Sequence, residues 1–301
     1  MSVFSVLFDV LGPVVVVVGL GALTGHRIAV DLRSLSRLAY WVLGPAFMFD
    51  VLADASLARN EMIQLSVVGL AGMLAAGLAA GLVLRVSRAP ASVIAAGTLT
   101  ASYGNVGNAG LAISSFAFGP DLLPAAGVFM LAVNTTGMML GVGLAHRRQG
   151  SILAAAWEAL KAPMTVASLI ALGVNTLGIQ PPATLDRSIT LVGGALIPTM
   201  LYTLGMQLRD TGRFEVAVQT VTSTVAKLLI APIAATAAAL GLGLSPDLVG
   251  VAAVQSAMPP AVFCMVVALE HDLEAERVTA TLVFATVASL LTLPVVLLLA
   301  T

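Results

Sequence analysis

The sequence predicts an all-α membrane protein: ten transmembrane helices forming two inverted five-helix repeats, with helices 4 and 9 broken where they cross. Three observations predict it. Of the 301 residues, 59% are hydrophobic and 10% are charged, against about 25% charged in an ordinary soluble domain. The apolar residues run in long continuous stretches instead of alternating, so the spanning element is the helix. The basic residues collect in every second loop. A mean hydropathy of +1.03 exceeds what a soluble fold of this size hides. The same composition excludes disorder, a collagen-like fibre and a disulfide scaffold, and the single cysteine, Cys264, has no internal partner. A net charge of −1 without a basic cluster excludes a nucleic-acid partner.

About twenty apolar residues cross a bilayer. Ten such segments run roughly over 6–25, 36–54, 62–84, 92–116, 122–145, 163–179, 188–208, 216–241, 248–269 and 278–300. Charges and turn residues separate them: His26-Arg27, Arg85 to Pro90, Gly119-Pro120-Asp121, His146-Arg147-Arg148 and Ser245-Pro246-Asp247. The first segment reads as a span and not as a signal peptide, since Asp9 lies near its start with no basic leader before it.

Lysine and arginine set the orientation. Arg27, Arg33, Arg37, Arg85, Arg88, Arg147, Arg148, Lys161, Arg209, Arg213 and Arg277 fall in odd-numbered loops. Only Arg59 and Arg187 fall in even-numbered ones, and Lys227 lies inside span 8. The expectation is a multi-pass protein of the cell inner (plasma) membrane, odd loops cytoplasmic and both termini outside.

The chain divides into residues 1–150 and 151–301, two halves alike at an offset of about 150 residues. Pro13 answers Pro163, Leu20-Gly21 answers Leu172-Gly173, Arg37 answers Arg187 and Ser102 answers Ser256. Five spans per half is an odd number, so the second half inserts upside down. Inverted repeats of this kind build secondary transporters, with a site at the midplane where interrupted helices meet.

The interruptions fall in spans 4 and 9. Span 4 reads SYGNVGNAGLA from Ser102 to Ala112, with Gly104, Gly107 and Gly110 beside Asn105 and Asn108. Span 9 reads VQSAMPPAVF from Val254 to Phe263, where Pro259 and Pro260 remove two backbone donors. Glycines at this spacing also serve close helix packing, and a lone proline also marks a simple kink. Matched positions in two halves, amides beside the glycines and a tandem proline favour a crossing site. An unwound stretch at membrane depth is tolerated where it is buried in protein or lines a wet cavity.

Lys227, about twelve residues into span 8, lies near the bilayer centre at a rise of about 1.5 Å per residue. It is either a ligand or structural, snorkelling to the interface or donating to carbonyls freed by Pro232. Two half-helix N-termini bring partial positive charge to the crossing. Spans 4 and 9 place no Asp or Glu there, so the expected substrate is a small organic anion, a carboxylate held by Asn105 and Asn108. Ser102, Gln255 and Ser256 lie beside the breaks, and Asn134 is an amide within span 5. Asp50 and Asp54 lie near the outer end of span 2 and read as solvated groups, a gate or a proton site.

The order VQSAMP, VALEHD, LPVVLLL over residues 254–299 resembles helices nine and ten of the auxin efflux carrier family, which includes plant PIN exporters and bacterial malonate-type carriers. LYTLGMQL (201–208) is similar to its seventh helix, KLLIAP (227–232) to its eighth and GNVGN to its fourth. The resemblance implies a scaffold of helices 1, 2, 6 and 7, usually a homodimer interface. It also implies a mobile transport domain of helices 3–5 and 8–10 that moves by alternating access. Asn105 then falls on the family's asparagine at the first break, Pro259 on the proline at the second, and Lys227 on the basic position of helix eight. Gly104 and Ala112 stand where plant members have prolines, and the mid-chain loop (146–162) is short.

No cofactor, metal or enzyme activity is expected. There is no His-Glu-x-x-His, and His26, His146 and His271 all lie in loops. A cation/proton antiporter of similar architecture and a non-transporting receptor are the alternatives. Proton or sodium coupling stays open.

Overall fold

Prolines and glycines decide where these helices start, bend and stop. The computed structural model describes residues 4, 6–28, 31–145, 157, 159–209, 216–270 and 273–301. His146, Arg147, Arg148, Arg213, His271 and Asp272 lie outside the described residues. Among the described residues the regular structure is helical, with one isolated antiparallel bridge.

The helices in chain order are α1 (Gly12–Thr24), α2 (Leu32–Leu38), α3 (Gly44–Ala53), α4 (Arg59–Val86), α5 (Ala91–Ser102), α6 (Leu111–Phe118) and α7 (Leu123–Ala145). They continue with α8 (Pro163–Thr176), α9 (Ala183–Gly194), α10 (Leu196–Arg209), α11 (Val218–Val225), α12 (Ala231–Gly241), α13 (Pro246–Ser256), α14 (Phe263–Glu270) and α15 (Ala275–Ala300). Three widened π turns, Val6–Leu11, Ala39–Leu43 and Ala226–Ile230, run directly into helices that carry Pro13, Pro45 and Pro232 near their starts. Each proline lacks an N–H and crowds the carbonyl four residues back, so the turn before it opens. The seventh segment is divided at Ala195 instead of running continuously. Pro198 gives the reason, since it cannot donate to the carbonyl of Gly194. At the exposed start of α2, Asp31 accepts from the backbone N–H groups of Arg33 (3.3 Å) and Ser34 (3.1 Å). Those bonds, Arg33's first, hold its carboxyl below the usual carboxylate range.

Six described helices are long and apolar enough to cross a membrane: Leu32–Ala53, Arg59–Val86, Pro120–Gly141, Ala183–Gln207, Val218–Gly241 and Ala275–Ala300. Phe8–Thr24, Ala91–Ser102, Val106–Phe118 and Pro163–Thr176 are shorter apolar helices. Their surfaces are turned out relative to a soluble protein. In α11, Val218, Val221 and Val225 are exposed while Gln219, Thr220, Ser223 and Thr224 are buried. Water outside would reverse that choice; lipid favours it.

Small residues fix the close crossings. A Cβ on Gly21 of α1 would strike the Tyr202 carbonyl of α10, and one on Gly205 would strike the Val18 carbonyl. Thr24 Oγ1 and Tyr202 Oη share a 2.8 Å hydrogen bond across the same pair. α3 packs on α8 and α9. Asn175 Nδ2 donates to the Ala53 (2.8 Å) and Ala55 (3.0 Å) carbonyls, and Thr190 Oγ1 donates to Asp50 Oδ1 at 2.6 Å. α4 is the hub of the other elements, touching α5, α7 and α12. A core of Leu65, Val68, Phe129 and Val133 fills the space between α4 and α7.

Candidate functional site

Both expected interruptions are present. α5 ends at Ser102, the chain runs non-helically through Tyr103, Gly104 and Asn105, and a π turn (Val106–Gly110) leads into α6. α13 ends at Ser256, and α14 resumes at Phe263. Pro259 and Pro260 stop α13 because neither can donate to the carbonyl four residues back, on Gln255 and Ser256.

The two breaks lie against each other. Gly104 faces Pro260 in an antiparallel bridge. The Asn105 N–H donates to the Pro259 carbonyl at 2.7 Å, and the Ala261 N–H donates to the Tyr103 carbonyl at 2.8 Å. The two donors lost at Pro259 and Pro260 thus do not leave this stretch of backbone open: each break satisfies the other, and the Pro259 carbonyl is already taken. Strand-like pairing at this depth replaces the water that lipid cannot supply.

Lys227 completes the arrangement. It is buried, at 2% exposure, and its Nζ donates to the Ser256 carbonyl at 2.8 Å. That carbonyl is the one Pro260 deprives of its helical partner. A Cβ on Gly104 would come within 2.8 Å of Lys227 Cε and 2.9 Å of Nζ, so the glycine makes room for the lysine. The expected donation to carbonyls freed by Pro232 is therefore corrected: Lys227 instead caps the C-terminal end of α13, where partial negative charge collects and Pro260 has removed the donor.

A cavity of about 230 Å³ opens beside the crossing. Asn105, Pro260 and Val262 form its crossing-side wall; Leu32, Leu204 and Gln207 face them, and Met265, Thr279, Leu282, Val283 and Thr286 complete the lining. Among the described residues no charged side chain lines it. Asn105 and Val262 each sit just before a resuming helix, so the positive ends of both second half-helices adjoin the cavity. Thr279 and Thr286 donate to their own helix at Ala275 (2.8 Å) and Leu282 (2.6 Å), which leaves their hydroxyl oxygens free only as acceptors.

Of the residues singled out by sequence, Asn105 and Pro260 line this cavity. The others lie outside it. Gln255 is fully buried and its Nε2 donates to Ser114 Oγ at 3.3 Å, tying α13 to α6. Ser256 Oγ turns back on Ala252 at 2.7 Å. Ser102 Oγ packs onto Gly77 of α4. Asn134 Nδ2 lies 3.9 Å from where a Cβ on Gly107 would be, behind the first break. Asn108 is half-buried within the π turn, Asp50 is bound to α9 by Thr190, and Asp54 is exposed. Sequence reasoning missed Tyr103, whose ring is 5% exposed, packs on Gly137 and meets Phe263 edge-on at 5.7 Å. It also missed Gln207, Thr279 and Thr286. The last two sit seven residues apart on one helical face with Leu282 and Val283 between, a stripe visible in hindsight.

Comparison with known proteins now decides the class. Residues 149–297 match the model of a family described as membrane transport protein. That stretch, nearly half of the chain, matches the auxin efflux carrier family that the sequence resembles. An "uncharacterized transporter" of Methanothermobacter thermautotrophicus (strain Delta H) is 26% identical over 266 residues, 88% of this chain and 87% of the relative. Family and relative both mark a membrane transporter and not an enzyme.

Proposed function

We propose that the chain carries a small organic anion, a carboxylate such as malonate or an auxin-like acid, by alternating access. One observation carries this reading. Two broken helices meet at paired breaks, their second halves directing N-terminal ends at a cavity that no described charged side chain lines, while Lys227 neutralises the opposing C-terminal end of α13. The resulting local field is positive, and an anion is the ligand it stabilises. Asn105 holds the anion, and Pro260 shapes its pocket.

The packing supports ten spans in two inverted repeats. α1 packs on α10 as α8 packs on α3, and α5 meets α15 as α13 meets α7. α1–α3 and α8–α10 pack more extensively on one another than on the remaining helices, which supports a fixed group of helices 1, 2, 6 and 7 and a moving group of helices 3–5 and 8–10. The fixed group supplies the homodimer face. Leu32, Gln207 and Thr279 put the cavity mouth close in sequence to Arg33, Arg209 and Arg277. With basic loops inside, this conformation faces the cytoplasm of an inner-membrane protein.

Flux of labelled dicarboxylates and aromatic monocarboxylates into proteoliposomes tests the proposal, with pH and sodium varied on each side to reveal coupling. Saturable anion flux that falls at least tenfold in Asn105→Ala is the expected result. Proton release on adding sodium without any organic anion would instead identify a cation antiporter, and binding without flux a receptor.

A further inference from the structure

A second cavity, about 410 Å³, lies away from the crossing. Its walls come from both proposed groups of helices: Leu52 of α3 and Leu172 of α8 on one side, Met62 and Leu70 of α4 and Leu131 and Ala132 of α7 on the other. Apart from Arg59, its lining is aliphatic or hydroxyl-bearing. One of those hydroxyls, Ser66 Oγ, already donates to the Met62 carbonyl at 2.8 Å and makes no demand on an occupant. Such a surface does not suit the polar substrate of the crossing.

Arg59 stands at one end, as the first residue of α4. It is exposed and has no ion pair among the described residues. Its nearest carboxylate in sequence, Glu61, is engaged by the Ala58 N–H at 2.9 Å. Eleven residues separate Arg59 from Leu70, roughly 16 Å along the helix axis at ~1.5 Å per residue. One leaflet of the hydrocarbon core is about 15 Å deep, half of a ~30 Å core. A guanidinium at headgroup level above an apolar groove one leaflet deep matches a charged head with a chain attached.

We propose that this groove binds one anionic phospholipid, its phosphate on Arg59 and an acyl chain between α3 and α8 on one side and α4 and α7 on the other. Arginine meets a phosphate oxygen pair with two parallel N–H donors, which fixes the head as well as attracting it. Because the walls belong to both groups of helices, the lipid binds the two transport conformations unequally. It thereby shifts their populations, by as much as its affinities differ. That consequence rests on the transport reading above; the binding does not.

Native mass spectrometry of the detergent-solubilised protein, titrated with dioleoyl phosphatidylglycerol, dioleoyl phosphatidylethanolamine and dioleoylglycerol, tests the binding. Wild type is expected to retain one phosphatidylglycerol at least fivefold more tightly than either other lipid. Arg59→Gln is expected to abolish that preference, and Ala132→Trp, which fills the groove, to abolish retention. As a second measure, an introduced Leu131→Trp is expected to be quenched by phosphatidylglycerol brominated along its chains. Equal retention in Arg59→Gln, undiminished retention in Ala132→Trp, or no quenching at residue 131 would each overturn the site. If the lipid binds as described yet anion flux is absent, the site stands and the transport reading fails.

Discussion

The two breaks reach the same crossing by opposite means, and the contrast explains what each contributes. The second is imposed by chemistry. Pro259 and Pro260 in tandem deprive two successive carbonyls of their helical donors and crowd the preceding turn, whereas the lone Pro294 is accommodated inside α15, and Ala257–Val262 is non-helical. The first is permitted and not imposed. Gly104 weakens the helix by only about 1 kcal/mol relative to alanine, and the break at Tyr103–Asn105 is held open by what it touches: the Pro259 carbonyl, the Ala261 N–H and Lys227. One break supplies rigid shape; the other supplies a donor-bearing side chain, Asn105, at the cavity wall. A site that must bind and release gains from one fixed jaw and one adjustable jaw.

Substitutions break or sharpen this contrast. The largest effect is expected on the adjustable side: Asn105→Ala lowers anion flux at least tenfold with little loss of thermal stability, since the Asn105 backbone N–H that holds the breaks together remains. Gly205→Val, outside the crossing, drives a side chain into the Val18 carbonyl and separates α1 from α10. It is expected to cut the yield of folded protein sharply in size-exclusion chromatography and so calibrates a purely structural defect. Lys227→Met removes a charge-assisted bond and leaves the Ser256 carbonyl unpaired, at about 1.5–3 kcal/mol. Its thermal midpoint is expected to fall, and anion affinity to weaken severalfold as the capped end of α13 regains its negative field. Gly104→Ala comes next. Its methyl displaces only the flexible end of Lys227, so it should reproduce a fraction of the Lys227→Met defect and add nothing to it in the double variant. Asn108→Ala is expected to be smallest, within twofold of wild type in flux, because this amide lies in the π turn and does not line the cavity.

How much of this was legible beforehand follows from the same contrast. Proline is written in the sequence and acts locally, so the second break could be placed nearly to the residue. The first break was legible as a cluster, SYGNVGN, but glycine says only that a bend is allowed. That Gly104 and not Gly107 or Gly110 opens the helix depends on Lys227 and Pro260, 123 and 156 residues away in sequence. Lys227 illustrates the limit most clearly. Its depth marked it as important, yet only the position of the Ser256 carbonyl makes it a cap. Thr279 and Thr286 were invisible for another reason: hydroxyls bonded to their own helix are common in membrane spans, and nothing local distinguishes the two that face a cavity. The helical segments themselves were legible because lipid leaves the chain few alternatives. The division at Ala195 was not anticipated, although Pro198 carried the signal.

The central claim, that the crossing is an anion site, is tested most directly by comparing affinities for an organic carboxylate and its uncharged amide in purified wild type and Asn105→Ala, by isothermal titration calorimetry. The expected result is carboxylate binding at least tenfold tighter than amide binding in wild type, with that advantage lost in the variant. Equal affinity for acid and amide in wild type, or an unchanged preference in Asn105→Ala, would contradict it.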